Sequence, residues 1–376
     1  VTVVTGDEGG SIMLPTLDGA FYRRLAVTAA ALAILRLGSL IPIPGLSPEV
    51  VAEVVRGGDG AVSRLSLFAL GITPLLSALI LAELLKVVAP SVRVWELAAW
   101  ANRARVRNVV YGLALLFAIV QAGGVSSGLE GVAGLVPEPG TAFGVVSIVT
   151  LVAGTALVIG LAAVIDRAGL GSGLWLVFLA PTLAELPQNL ATIAQLYDMG
   201  QYSLGAILRA AAFTAIAAAG VVSIVLAARG AAATSAACVW TPLLAYAVLA
   251  WLLIGIGLVI SFGNVEGAMA IAAPGSLVRY VVLPAVFALI AWLYVRSTLM
   301  AGQPNPVPAM PIAAVLAAIA LAAELLQSQL QTALPLGSVQ LVIAAVVATR
   351  MLIDWKVLGG DERPPAAASE PVSPSA

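Results

Sequence analysis

The chain of 376 residues is 61% hydrophobic and only 10% charged, with a mean hydropathy of +1.06, far from the roughly 25% charge of a soluble domain. Its net charge of −1 offers nothing to nucleic acid, the absence of histidine removes the usual general base and the commonest metal ligand, and a single cysteine, Cys238, excludes an intrachain disulfide. What remains is an all-α polytopic membrane protein, to be counted in spans of about 20 residues, with no enzyme activity, metal site or cofactor expected.

Residues 1–20 are polar and read as a cytoplasmic amino-terminal segment. Arg23 and Arg24 precede an apolar run from Leu25 to Ile41, followed by Pro-Ile-Pro-Gly and not by a small-residue cleavage site, so it is expected to be an uncleaved first span. Residues 42–63 form a loop too polar to cross. Arg64 to Lys86 is the second span, with a Gly-Ile-Thr-Pro break near its middle. A basic stretch leads to a third span at Asn108–Ser127, and a fourth follows at Phe143–Ile165. The turn DRAGLGSG, Asp166 to Gly173, opens a fifth, kinked at Pro181 and Pro187. Five more are predicted at Gly205–Leu226, Ala236–Ile260, Leu277–Val295, Pro311–Gln331 and Val339–Ile353, with a disordered Pro/Ala/Ser-rich tail over 357–376.

An internal repeat organises these spans. Thr73 to Leu85 reads TPLLSALILAELL and Thr241 to Leu253 reads TPLLAYAVLAWLL, identical at eight of thirteen positions. Five spans separate the two starts, so the copies cross in opposite senses, as in inverted halves around a central pathway. The expected halves are residues 21–200 and 201–356. Basic residues set the orientation: with the amino terminus cytoplasmic, thirteen of eighteen Lys and Arg fall on inner loops or span ends, which puts both termini inside.

Three segments go further. RLGSLIPIPG from Arg36, GAVSRLSLFALGITP from Gly60 and DRAGLGSGLWLVFLAPTLAELP from Asp166 resemble the end of the first span, the plug with the second span, and the fourth-to-fifth-span turn of the SecY family, the pore subunit of the Sec protein translocon. The resemblance is good over most of the first 230 residues; in the second half it rests on span order and the TPLL segment. It implies ten transmembrane helices in two inverted five-helix halves around a central pore that opens sideways to lipid between the second and seventh spans. It also implies an apolar pore ring of Ile72, Leu76, Phe178, Thr182, Leu244 and Leu341, in which Phe178 and Thr182 depart from the family's aliphatic pattern. A lateral gate would follow from Thr73, Ser77 and Ala78 facing Thr241 and Ala245. A plug would lie at about 57–65, around Gly57, Gly58, Gly60 and Ala61. Ordinary helix packing and a plain outer loop are the alternatives for these residues.

Implied partners are SecE-like and SecG-like small membrane subunits, an unfolded polypeptide substrate and the lipid of a bacterial inner membrane. Docking of SecA or a ribosome is less well supported, because the connections Ala228–Ala237 and Arg296–Met310 each carry a single basic residue where the family has long basic loops. Two other readings stand beside a protein-conducting channel. One is a proton-coupled secondary transporter using Glu185 or Glu324; the other is an accessory, non-conducting translocon paralogue. The orientation is directly testable: a reporter active only in the cytoplasm, fused after Ala376, is expected to be active, and an inactive but externally accessible reporter would show an odd number of spans.

Overall fold

The computed structural model describes residues 19–56, 64–228, 231–261, 276–303, 305–328 and 334–358. Among these, twelve helices follow one another: α1 Gly19–Gly38, α2 Pro48–Arg56, α3 Thr73–Val88, α4 Pro90–Ala98, α5 Trp100–Glu130, α6 Thr141–Ala168, α7 Gly173–Asp198, α8 Leu204–Ala227, α9 Ala232–Ser261, α10 Leu277–Met300, α11 Ala309–Ser328 and α12 Ser338–Leu358. Each of the ten expected spans holds one of them. Two short helices were not expected, α2 in the first loop and α4 after the second span. Six helices, α5, α6 and α8–α11, are by themselves long and apolar enough to cross a bilayer, and the bent pair α3–α4 would add a seventh. Large apolar side chains such as Val120, Val149 and Ile216 stand exposed on their outer faces, as lipid requires and water would penalise.

The second span departs from expectation. Only its second half is helical. Residues 65–72 run as turns, and Pro74 lies in the first turn of α3. A proline there costs no helical hydrogen bond, and it disfavours helix in the residue before it; Gly71, at φ +53°, completes the stop. The Gly-Ile-Thr-Pro break is therefore a helix start. In the second copy of the repeat Pro242 stays inside α9, so the two copies share sequence but not backbone.

The non-helical stretch is paired with the Pro-Ile-Pro-Gly segment. Ile43 N–H donates to Leu65 O at 2.9 Å and Leu67 N–H to Ile41 O at 2.8 Å, around an antiparallel bridge between Pro42 and Ser66. Two of the sequence motifs thus satisfy each other's backbone. Behind them lies α6, where Gly154 leaves room: a Cβ at this position would sit 2.0 Å from the carbonyl oxygen of Leu67.

The third motif is also a packing device. In the DRAGLGSG turn, the Asp166 carboxylate accepts from Gly173 N–H at 2.7 Å, and Thr28 of α1 accepts from Leu170 N–H at 2.8 Å. Gly171 holds φ +81°. A Cβ on Gly173 would meet the carbonyl oxygen of Ala162 at 1.9 Å.

Helices α1, α3 and α5–α7 form one half, α8–α12 the other. In the first, Ala31, Leu35, Leu75, Ala78, Val110, Ala114, Val158 and Ile165 make the core, and small residues of α5 at every fourth position, from Ala114 to Ala122, lie buried beside α3 and α6. In the second, Leu249, Leu283, Phe287, Leu316 and Ile343 are fully or nearly fully buried. The halves touch on two sides: α3 and α4 pack against α9 and α10, and α7 packs against α12. Gly154→Ala tests the close approach to Leu67. It should lower stability by about 1–3 kcal/mol, read as a shifted unfolding midpoint in detergent; an unshifted midpoint would mean that residues 65–72 relax without cost.

Candidate functional site

The residues expected in the ring lie on four helices, α3 with its N-cap, α7, α9 and α12. Ile72 and Leu76 come from the start of α3, Leu244 from the middle of α9 and Leu341 from the first turn of α12, all buried. Leu76, Leu244 and Leu341 share one apolar cluster, while Ile72 belongs to the core of the first half. Phe178 of α7 packs against both clusters and joins them. Thr182, one turn further along α7, is half-buried and lies in neither. The residues shared by these clusters make an aliphatic and aromatic contact between the halves, where water gains little.

The expected gate residues divide. Thr241 and Ala245 of α9 are fully buried, and α9 packs along α3. The hydroxyl of Thr241 has no hydrogen-bond partner among the described residues. Pro242 beside it cannot donate to the carbonyl four residues back, so α9 is weakest just before Leu244. On α3, Ser77 is half-buried and its hydroxyl donates to Thr73 O at 3.0 Å, while Thr73 itself is exposed. Ala78 has 0% exposure within the core of the first half, and so packs on its own half. The plug glycines Gly57, Gly58 and Gly60, with Ala61, lie outside the described residues.

A group of buried charges, of which sequence spacing pairs only Glu83 with Lys86, holds the far end of α3. There the chain turns by 106° into α4. Glu83 accepts from Lys86 at 2.9 Å and from Arg93 at 2.7 Å, and Lys86 also reaches Glu96 at 2.9 Å. The Arg93 guanidinium lies 4.8 Å from the ring centre of Tyr294 on α10. Two acids and two bases cancel, which is what makes their burial tolerable. The corner of one half is thereby tied to the eighth span of the other. The linear pattern reveals the i, i+3 pair but not Arg93 or Tyr294, which are brought together only by the turn.

A second feature of the junction is aromatic. Trp175 of α7 and Trp240 of α9 meet edge to face with ring centres 5.3 Å apart, and Trp175 meets Phe178 in the same manner at 6.3 Å.

Two helical halves that meet over an apolar junction, built from helices of membrane-spanning length, define a multi-pass helical membrane protein, and solved structures share the fold. A structure titled as that of a protein conducting channel matches with a TM-score of 0.58 over 92% of this chain and 95% of its own, at 14% identity. Sec61 from a canine ribosome-channel complex matches with 0.58 over 93% and 95%, at 16% identity. The SecY family model matches residues 66–237. Protein translocase subunit SecY of Buchnera aphidicola is 37% identical over 193 residues, covering 47% of this chain and 54% of that protein. Protein translocase subunit SecY of Escherichia coli K12 is also 37% identical over 193 residues, with 47% and 44% covered. The family model takes in a little under half of the chain, and the chain spans about half the length of the curated relatives it matches.

Removal of the central carboxylate tests the charge cluster. Glu83→Gln should cost about 3–5 kcal/mol, because it leaves Arg93 buried without its anion. The measurement is again the unfolding midpoint, and a loss below about 1 kcal/mol would mean that Glu96 or water takes over.

Proposed function

We propose that the protein is the channel subunit of a protein translocase in a bacterial inner membrane, passing unfolded polypeptides across and releasing apolar segments sideways into lipid. The observation that supports this reading is that Leu76, Leu244 and Leu341, from three helices of the two halves, belong to one buried apolar cluster against which Phe178 of a fourth helix packs. Such a cluster blocks ions because it does not wet, yet it contains no bond that a passing chain must break. Ile72 and Thr182 complete the ring at its edges.

The exit is the seam of α3 against α9. Ser77 on one wall and Thr241 with Ala245 on the other are small and weakly bonded, so the walls separate at little cost. Thr73 and Ala78 flank the seam. The segment at about 57–65 serves as the plug. Both termini are cytoplasmic, SecE-like and SecG-like subunits clasp the halves, and the substrate is an unfolded chain.

A second reading has an observation of its own. The connection between α8 and α9 is only 228–231, and α10 joins α11 through 301–308. Connections of four and eight residues, in which Arg229 is the one basic residue, are too short to offer SecA or a ribosome a long basic hairpin, and this favours a dedicated or accessory channel with its own means of delivery. Of the two carboxylates of the transporter reading, Glu185 is exposed on α7 while Glu324 is buried on α11.

A cysteine bridge separates these readings. With Cys238 changed to Ser, Ser77→Cys paired with Ala245→Cys or a neighbouring α9 position should crosslink readily and block insertion of an apolar test segment until reduced. Crosslinking without any effect on insertion would leave the fold and favour the non-conducting paralogue. If no pair along α3 and α9 crosslinks, the gate is wrong.

A further inference from the structure

The end of the bundle at which α7 and α9 begin and α12 finishes holds a cavity of about 340 Å³. Its lining includes Asp166 and Trp175 from the first half and Ser235, Trp240 and Arg350 from the second. The Ser235 hydroxyl is buried there without a hydrogen-bond partner among the described residues, so the cavity already offers a polar group to whatever enters. By the distribution of basic residues this end is the cytoplasmic one.

Between the cavity and the ring stand the two tryptophans. Trp175 precedes Phe178 by three residues on α7 and Trp240 precedes Leu244 by four on α9. At about 1.5 Å per residue, each indole lies about 4.5–6 Å nearer the cavity than its ring neighbour. The indoles meet at 5.3 Å with their planes 71° apart, and Trp175 continues to Phe178 at 6.3 Å and 89°. An unbroken line of three aromatic rings therefore runs from the apolar ring to the cavity wall and across from one half to the other. Both tryptophans are half-buried, facing the cavity on one side and the packed junction on the other.

We propose that Trp175 and Trp240 form a second constriction in series with the aliphatic ring, closing the pore from the cavity side. The inference rests on the channel reading. Its consequence is selectivity at entry. A side chain reaching the ring must first push apart the indole pair, whose contact is edge to face, and an apolar or aromatic side chain replaces that contact where a charged one does not. The seal also stays closed when the ring alone is breached, because the two barriers are independent layers on the same path.

The test uses the full chain, with the small membrane subunits that purify with it, in liposomes of neutral and anionic phospholipid. Ion leak is compared among wild type, Leu244→Asn, Trp175→Ala with Trp240→Ala, and the three substitutions together; insertion of an apolar test segment is measured in parallel. Two barriers in series predict that the combination leaks at least about tenfold more than either partial variant. Restoring bulk with Trp175→Phe and Trp240→Phe in the Leu244→Asn background should return the leak to that of Leu244→Asn alone. If the double Ala variant aggregates, Trp175→Leu with Trp240→Leu takes its place, keeping apolar volume but losing the edge-to-face geometry. A combination that leaks no more than Leu244→Asn, with wild type active in insertion, overturns the second constriction and leaves the channel reading intact. A folded wild type that inserts nothing overturns the channel reading, and the second constriction falls with it.

Discussion

A backbone in hydrocarbon has no water to turn to, and each amide must find its partner inside the protein. Most of this chain meets that demand by being helical. The exception is residues 65–72, and the structure around them is arranged to absorb it. The Pro-Ile-Pro-Gly segment supplies hydrogen bonds through Ile41 and Ile43, and Gly154 lets the stretch lie directly on α6. Only then can α3 begin at Thr73, which sets Ile72 and Leu76 at the junction of the halves. The start of α3 is thus positioned by a non-helical segment held in place from both sides.

The same chain carries two kinds of contact between its halves, and their energetics differ. At the level of the ring the contacts are apolar side chains and a tryptophan pair, which separate without leaving a charge behind. At the corner of α3 and α4 they include Glu83, Lys86, Arg93 and Glu96, with Arg93 over Tyr294. Pulling the latter apart exposes uncompensated ions, so this corner resists. Motion between α3 and α9 is therefore easiest at the ring and seam and hardest at the charged corner, which acts as a fixed point about which the helix can swing. On the opposite side α7 and α12 stay packed, the place for a hinge. The sideways opening proposed above needs this asymmetry.

Much of this was legible in the residues. Composition alone excludes a soluble protein, because 61% hydrophobic residues cannot be buried in water by a chain of this length. The ten helices follow from apolar runs that must be about as long as a bilayer is thick. Inverted halves follow from the TPLL repeat and the span count. The three motifs read as family signatures prove to be devices of backbone pairing and close approach, visible as such because glycine and proline have few other uses in an apolar helix.

What the linear pattern did not decide is whatever depends on which faces meet. Pro74 starts a helix while Pro242 sits within one, though Thr precedes and Leu-Leu follows both, because only the first has Gly71 to break the helix and residues 41–43 to pair the chain before it. Ala78 and Ser77 are adjacent, yet one is sealed in its own half and the other lies half-buried on the wall toward α9; helical rotation by one residue separates them. Arg93 reaches Glu83 and Tyr294 only because the chain turns by 106° between α3 and α4. Trp175 and Trp240 are 65 residues apart in sequence. The sequence by itself determined how many helices cross and which stretches are special, since hydrophobic length and backbone freedom are local properties. Only the tertiary structure decided which side chains meet between the halves, since such a contact is made between helices and its members carry no mark until two halves are brought together.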